Sequence, residues 1–405
     1  MHFNRKTRER VDKKLVADAE KLAGKLSKIR RRIHMYPELA YQEKRTSEFV
    51  ADTLRGMGIE VRTGVAKTGV VGVLRGASKG KTVAFRGDMD ALPITEQNQK
   101  PYVSRVPGVM HACGHDANTT TVLGTAMLLA QRLSRLKGNA KFIFQPSEEA
   151  PPGGALPMIK DGALKSPKVD WIIGVHVDST VQVGKIGLRD GHMMAAADDF
   201  SLSITGEAAH GAKPHLGVDA IQLQAQVIQA LQQVVSRKMD PTHPVVLTLG
   251  TIHGGYRQNV IADRVDIEGT LRTLYPGDRK KAPKMIERIV RKVTEAFGGG
   301  YEFEYRLGYP SLSCDPKLNA VVQSTMEELF GKRSVVELDT PSMGGEDFAY
   351  FANEVPGMML RLGTRNKQLG FDYPWHHPKF DIDEKGLWVG AAVMAGTGMR
   401  LLNGE

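Results

Sequence analysis

Apolar residues recur along the chain at two different spacings. Spacings of three and four residues predict helices, and short runs rich in β-branched residues predict strands. The expected helices cover residues 1–34, 43–57, 119–133, a short stretch around 158–159, and then 218–235, 284–297, 317–330 and 383–402. The expected strands cover residues 60–63, 70–74, 82–85, 140–144, 171–177, 200–205, 245–252, 265–274, 301–305, 334–338 and 357–363.

The order of these elements changes part-way along the chain. Strands and helices first alternate, which is typical of α/β folds. From residue 200 to residue 305 the order is β-α-β-β-α-β, which predicts a ferredoxin-like α+β unit. Alternation then resumes. We therefore expect an α/β domain with a mixed sheet flanked by helices, built from residues 1–194 and 308–405, and an inserted ferredoxin-like domain at 195–307.

Composition narrows the class of protein without naming a function. A chain of 405 residues is long for one core, and 41% hydrophobic with 25% charged residues is typical of a soluble globular protein. The net charge of +10 comes from basic residues interleaved with acids, so no nucleic-acid partner is expected. Two cysteines exclude a disulfide framework, and no long apolar run indicates a membrane. We expect a cytoplasmic protein.

The stretch MHACGHDANTTT concentrates metal-binding side chains. His111, Cys113 and His115 alternate with small residues, and Gly114 removes a Cβ that would hinder two ligands from facing one centre. Asp116 is predicted to be the N-cap of the helix that follows. A glycine turn with incidental polar residues is the alternative.

Pairs of carboxylates follow two predicted strands. Asp88 and Asp90 come after the strand at 82–85, and Glu148 and Glu149 come after the strand at 140–144. Sites in α/β sheets lie at the carboxyl ends of strands, so both pairs are candidate functional groups, with polar turns as the alternative. Adjacent glutamates suit a metal site in which one carboxylate ligates and the other transfers protons.

His176 lies near the end of the apolar strand at 171–177. A lone histidine on such a strand is more often a satisfied core residue. Here it follows a Cys-x-His loop and a Glu-Glu strand end, so the sequence leaves the core and ligand interpretations about evenly balanced.

Nine ordered blocks extend over almost the whole chain, and together they identify a family. They are RRIHMYPELAYQE, RGDMDALPI, MHACGHD, FQPSEEAPPGGA, GVHV, AAHGAKPHLGVDAI, NVIADRVDIEGTLRT, MGGEDFAYF and HHPKFDIDE. The sequence resembles the M20 metallopeptidases, most closely the amidohydrolase branch of N-acyl-amino-acid amidohydrolases, hippurate hydrolases, indole-acetyl-amino-acid hydrolases and related carboxypeptidases.

The resemblance implies a set of metal ligands. They would be Cys113, His115, Glu149, His176 and His376, which together would hold two divalent ions per subunit. Zn²⁺, Mn²⁺ and Co²⁺ all remain open as the metal, because a mixed sulfur, nitrogen and oxygen site is filled by availability as much as by affinity.

The resemblance also implies roles for residues that are not ligands. Glu148 would be the general base, and Asp90 would support a ligand from beneath. His210 would reach into the partner's site of a homodimer formed through the inserted domain. Asn259 and Arg272 would contact the substrate.

The implied function is hydrolysis of the amide bond of N-acyl amino acids by metal-activated water. A carboxypeptidase or dipeptidase acting on small peptides is the alternative within the same chemistry. A metal-binding protein without turnover is disfavoured, because it would need no second carboxylate beside a ligand. Two departures from the usual family pattern, Asn118 and Ala262, affect loop shape and substrate choice more than chemistry. Glu207 and Ala208 stand just before His210 where glycines are common, and they are expected to tune the contact with the partner subunit.

Overall fold

The computed structural model describes residues 13–404. They form two compact units: the first contains the described residues up to Gly191, Ser313–Thr340 and those from Tyr350 onward, and the second contains His192–Leu312 and Pro341–Ala349. The domain limits 1–194, 195–307 and 308–405 stay a prediction, since compactness alone does not define a domain.

Helices and strands of the described residues follow the expected alternation. No helix among them combines the length and apolarity needed to cross a membrane. The helices are α1 Lys13–Lys21, α2 Ala23–Met35, α3 Lys44–Arg55, α4 His115–Ala130, α5 Ala155–Lys160, α6 Ala220–Gln233, α7 Pro276–Ala296, α8 Pro316–Phe330, α9 Phe348–Glu354 and α10 Lys385–Asn403. The strands are β1 Glu60–Val65, β2 Gly69–Arg75, β3 Ser78–Asp88, β4 Lys137–Gln145, β5 Trp171–Gln182, β6 Ile186–Leu188, β7 Gly191–Met194, β8 Ala196–Thr205, β9 Ala209–His210, β10 Val245–Gly254, β11 Val260–Ile261, β12 Arg264–Thr273, β13 Gly300–Tyr309, β14 Leu312–Cys314, β15 Val335–Glu337 and β16 Gly357–Arg365.

The first unit is built on an eight-stranded mixed sheet in the order β1-β2-β4-β3-β5-β16-β6-β15. Its central strands β4, β3, β5 and β16 are parallel neighbours, whereas β1, β2 and β4 pair antiparallel. The carboxyl ends of parallel strands meet at one edge, where α/β proteins place their sites. The predicted mixed sheet flanked by helices is confirmed.

α4 is almost entirely buried, although it contains several threonines. The hydroxyl groups of Thr120, Thr121 and Thr125 each donate to a carbonyl oxygen four residues earlier in the helix. Because these polar groups are satisfied inside the helix, α4 can pack against α2, α10 and the sheet at once.

The predicted continuous helix over residues 1–34 is wrong. Two helices, α1 and α2, replace it, and Leu22 separates them. The Leu22 amide bonds back to Ala19, only three residues away, at 3.0 Å, which tightens the turn beside Gly24, a poor helix former. Residues 1–12, which include the predicted apolar position Val11, lie outside the described part of the chain.

The second unit contains an antiparallel sheet in the order β10-β12-β8-β13. Its elements follow one another as β8, α6, β10, β12, α7 and β13, so the inserted ferredoxin-like α+β unit is confirmed. α7 begins two turns earlier than predicted, at Pro276, because proline is tolerated in the first turn of a helix. The core lies between one sheet face and the helices, with Phe200, Leu202, Val227 and Ile286 fully or almost fully buried.

A buried ion-pair network joins α2 to α4 and to the segment before α10. The Arg30 side chain is fully buried, with Nε 2.7 Å from Asp116 Oδ2 and Nη2 2.8 Å from Asp381 Oδ1. His34 Nδ1 lies 2.7 Å from the same Asp116 oxygen. Burial opposes the charge on Arg30, but the surrounding carboxylates outweigh it and raise its pKa well above the ordinary value.

Replacing Arg30 should lower the free energy of unfolding far more than replacing its neighbour Arg31. Arg30→Leu leaves two buried carboxylates without their counter-charge, so the free energy of unfolding should fall by about 3–5 kcal/mol. Arg31 pairs with Glu384 but keeps 44% of its side chain exposed, so Arg31→Leu should lose less than about 1 kcal/mol. Urea denaturation measures both values, and equal losses would contradict the assignment of the network.

Candidate metal centre

Five predicted ligands converge at the carboxyl edge of the large sheet. Cys113 and His115 lie at the start of α4, Glu149 follows β4, His176 lies in β5, and His376 lies between β16 and α10. Their donor atoms form two groups, each within 4.8 Å, namely Cys113 with His115 and His176, and Cys113 with Glu149 and His376. The Cys113 sulfur therefore belongs to both groups.

Three distances describe how closely these donors approach one another. Cys113 Sγ lies 3.5 Å from His176 Nε2. His115 Nε2 lies 3.8 Å from Glu149 Oε1, and His376 Nε2 lies 3.3 Å from that same oxygen. Glu149 thus faces ligands of both groups.

Gly114 lets the backbone turn between two ligands. Its φ is +87°, and a Cβ added there would lie 2.3 Å from Val177 Cγ2, so only glycine fits without a shift. The predicted N-cap role of Asp116 is wrong, because α4 begins at His115 with Gly114 before it. The Asp116 carboxylate instead bonds to Arg30 and His34, since a buried charge needs partners more than the helix end needs a cap.

Asp90 forms hydrogen bonds with His115 and with both glutamates. His115 Nδ1 donates to the Asp90 carbonyl oxygen at 2.9 Å and lies 3.2 Å from its Oδ1, which leaves Nε2 directed at the other donors. The Asp90 carboxylate also accepts the backbone amides of Glu148 and Glu149, at 3.0 and 2.9 Å. One carboxylate therefore orients a histidine and two glutamates.

Two polar atoms at the centre of the group lack a hydrogen-bond partner among the described residues. They are His115 Nε2 and Glu149 Oε1, and both are buried. Buried polar atoms are normally paired, and a cation coordinated by thiolate, imidazole and carboxylate would pair both. The donor set therefore fits a divalent transition metal.

Electrostatics at the centre agrees with this fit. Burial and the nearby Glu149 carboxylate raise the pKa of the Cys113 thiol well above its ordinary value, a penalty that a bound cation reverses. Burial and the charge of Arg361 lower the pKa of His176 to about 4. The His176 ring is therefore neutral at pH 7, which is the form that binds metal.

Trp375 links two of the histidines. Its Nε1–H donates to the Val177 carbonyl oxygen at 3.0 Å, and His176 Nδ1 donates to the same oxygen at 2.8 Å. The indole and the His176 ring meet edge to face at 5.1 Å. The next residue, His376, has φ +64° and donates its amide to Ala112 at 2.9 Å. These bonds fix both ligands.

Comparison with known proteins decides the family. Residues 84–400 match peptidase family M20/M25/M40. The chain belongs to this family. It is a metal-dependent hydrolase, and the predicted M20 relationship is confirmed.

Relatives within M20 carry different names. A thermostable carboxypeptidase of Saccharolobus solfataricus is 40% identical over 94% of this chain and 96% of its own. An N-acyl-L-amino acid amidohydrolase of Geobacillus stearothermophilus is 45% identical over 69% of this chain and 75% of its own. The crystal structure of Bacillus subtilis YxeP, a dinuclear metal-binding M20 peptidase, matches with a TM-score of 0.82 and 33% identity over 95% of this chain and 99% of its own.

His111, one of the metal-capable residues in the M20 loop, does not join the donor groups. It is buried, and its ring lies 6.3 Å from that of His34. Burial is the main cause that lowers its pKa to about 3. Its side chain therefore packs as a neutral core histidine behind the loop.

Asp88, the other acid after β3, is held by neighbours on both sides. Arg86 Nη1 donates to it at 2.6 Å, and Asn118 Nδ2 donates at 2.8 Å. The Asn118 side-chain oxygen Oδ1 in turn accepts the Val177 amide at 2.9 Å. Asn118 thus ties Asp88 at the end of β3 to Val177 within β5, a role that its departure from the family pattern did not indicate.

The three remaining predicted residues lie in the second unit, at two different ends of its sheet. His210 in β9 pairs with Val260, and the Gly211 amide donates to the Asn259 carbonyl oxygen at 2.8 Å, so His210 and Asn259 are neighbours. Arg272 pairs with Ala197 near the other end of β8. Arg272 lies eight positions along β12 from Arg264 at the His210 end, which corresponds to about 26 Å.

Two residues that shape the centre were missed by the sequence analysis. Trp375 stands directly before a ligand, and that adjacency is the only signal for it in the sequence. Glu43 precedes α3 and looks like an ordinary helix start, yet its carboxylate accepts the Ser147 amide at 2.9 Å, two residues before Glu149.

Proposed function

We propose that this protein hydrolyses the amide bond of N-acyl amino acids, using two divalent ions per subunit, with Zn²⁺, Mn²⁺ or Co²⁺ as the metal. The observation that carries the proposal is that two buried atoms, His115 Nε2 and Glu149 Oε1, form no hydrogen bond with the described residues and lie inside a cluster of metal-binding side chains. A second carboxylate, Glu148, lies beside them with its Oε2 3.9 Å from His115 Nε2.

The two adjacent glutamates have different surroundings, which supports different roles. Divalent ions held there would polarise the substrate carbonyl and lower the pKa of water. Glu149 faces ligands of both donor groups and suits coordination. Glu148 belongs to neither of the two groups that contain Cys113, although its carboxylate lies near His115 and Glu149, so it can accept a proton from the attacking water and return it to the leaving nitrogen.

Arg272 is suited to bind the free carboxylate of the substrate. It is half-buried on β12, and no carboxylate of the described residues lies within ion-pair distance of it. Beside it, Gly345 has no side chain, and a Cβ there would lie 3.7 Å from Arg272 Nη1. A guanidinium without a carboxylate partner among the described residues can form two parallel hydrogen bonds to a substrate carboxylate.

His210 is suited to stabilise negative charge on the substrate. Its Nδ1 accepts the Ala212 amide at 3.0 Å, so the neutral ring carries its hydrogen on Nε2 and offers an outward donor. Val260, which pairs with it, and Leu216 in the following loop are 38% and 61% exposed. Exposed apolar residues beside a polar donor support a homodimer in which His210 serves the partner's site.

Peptidase activity is the second candidate, favoured by the 40% identity to a carboxypeptidase over nearly the whole chain. A panel of N-acetyl, N-benzoyl and aminoacyl substrates separates the two. We expect hydrolysis of the N-acyl amino acids that a chelator abolishes and a divalent ion restores. Cleavage of peptides alone would favour the second candidate, and full activity in metal-free protein would contradict both.

Substituting the two glutamates should give opposite metal contents. Glu148→Gln should keep both ions while kcat falls by about 10²–10⁴-fold, the usual range for a lost general base. Glu149→Gln should lose metal. Elemental analysis and steady-state kinetics on the same preparations measure both effects, and reversed metal contents would show that the roles are exchanged.

Subunit mixing tests the role of His210. His210→Ala and Glu148→Gln should each be nearly inactive, but their heterodimer contains one site with both residues intact. Random pairing of equal amounts should therefore restore about a quarter of wild-type activity, if the two sites act independently.

Two controls accompany the mixture. His215→Ala, in the same exposed loop, should remain active. Mixing Glu148→Gln with the double variant Glu148→Gln/His210→Ala should restore nothing, because every site then lacks Glu148. No recovery in the first mixture, despite demonstrated subunit exchange, would remove His210 from the partner's site.

A further inference from the structure

The carboxylate of Glu43 is buried without an ion-pair partner among the described residues. Oε1 accepts the backbone amides of Tyr41 and Ser147, at 3.0 and 2.9 Å, and Oε2 accepts the Thr68 hydroxyl at 2.6 Å. Burial is the main cause that raises its pKa. A carboxylate in such a place is held by hydrogen bonds alone, and one of them reaches a loop more than a hundred residues away.

That loop carries an unusual backbone conformation. Ser147 has φ +53°, in the left-handed region that residues with a Cβ rarely adopt. The next two residues are Glu148 and Glu149, so the direction of both side chains depends on the Ser147 torsion. Any relaxation to negative φ would turn both carboxylates away from their present positions.

Two buried carboxylates hold this turn together. The amides of three consecutive residues, Ser147, Glu148 and Glu149, all donate to them: the first to Glu43 and the other two to Asp90. Asp90 alone leaves the Ser147 amide without a partner, and that residue is the one with the strained torsion. Successive amides around a left-handed residue form a concave anion site, which here is filled by side chains of the protein itself.

We propose that Glu43 is a positioning residue, which holds Ser147 in the left-handed conformation and thereby directs Glu148 and Glu149 into the metal centre. The proposal rests on the proposed function for the catalytic role of Glu148, but its effect on Glu149 is a matter of metal binding alone. What the site needs from Glu43 is a hydrogen-bond acceptor in place, not a charge.

A nearby glutamate provides a matched control. Glu38 also accepts three hydrogen bonds from one short segment, those of the Arg45 amide, the Thr46 amide and the Thr46 hydroxyl. These bonds hold the start of α3 and do not involve the Ser147 turn. If Glu43 only stabilised the fold, the two glutamates would behave alike.

The experiment is a double-mutant cycle read by two measurements. Glu43→Ala, Ser147→Gly and the double variant are compared with wild type for Co²⁺ affinity, by titration of metal-stripped protein, and for kcat on an N-acetyl amino acid. Glu43→Ala should weaken Co²⁺ binding and lower kcat by about 10–100-fold each, the range found for groups that orient ligands. Glu38→Ala should lower the melting temperature while leaving both quantities near wild type.

Ser147→Gly should restore much of the Co²⁺ affinity and kcat that Glu43→Ala loses. Because glycine reaches positive φ without steric cost, the turn no longer depends on Glu43 to hold it. The effect of Glu43→Ala should therefore be several-fold smaller in the Ser147→Gly background than in wild type. An unchanged Co²⁺ affinity in Glu43→Ala, or an equal loss in both backgrounds, would overturn the proposal.

Glu43→Gln keeps the test decisive if the alanine variant does not fold. Its amide oxygen can accept the Ser147 amide while its NH₂ group donates to the Thr68 hydroxyl, so Co²⁺ affinity should stay close to wild type. If Glu43→Gln lost as much Co²⁺ affinity as is expected for Glu43→Ala, the negative charge of Glu43, and not its hydrogen-bond acceptor, would be what positions the turn. If wild type hydrolyses nothing, the proposed function fails, yet the Co²⁺ titrations still decide the role of Glu43.

Discussion

The hydrogen bonds of Asp90 are the constraint on which the metal centre depends. Its carboxylate and carbonyl orient His115 through Nδ1, and the same carboxylate fixes the amides of Glu148 and Glu149. Groups from β3, β4 and α4 are thereby set relative to one another by a single side chain. A metal site needs such fixed distances, because ligands that must be reorganised on binding reduce affinity.

The fold around this residue supplies a rigid backing. Parallel strands bring sequence-distant loops to one edge of the sheet. Behind the loops, Arg30 and Asp116 join α2 to the first turn of α4 inside the protein. Asn118 joins Asp88 at the end of β3 to Val177 within β5. The centre is therefore held by buried hydrogen bonds between loops rather than by the loops' own stiffness.

Local patterns in the sequence predicted most of the fold and indicated several of the side chains that gather at the candidate metal centre, because both depend on short-range chemistry. Helix and strand periodicity, the Cys-x-His stretch and the Glu-Glu strand end are all readable from neighbouring residues. The errors at the candidate site share one cause, which is long-range partnership. Asp116 was predicted to cap a helix, but Arg30, 86 residues earlier, binds it. Glu43 and Trp375 act through bonds to distant backbone atoms that no spacing reveals.

The sharing of Cys113 between both donor groups has a consequence for ageing of the protein. Oxidation of this one sulfur to a sulfinic or sulfonic acid would remove a donor from both groups in a single irreversible event. The residual activity of an oxidised preparation would then be proportional to the fraction of subunits in which Cys113 is intact. A loss of half the rate would mean that half of the centres are inactive, and not that every centre turns over more slowly.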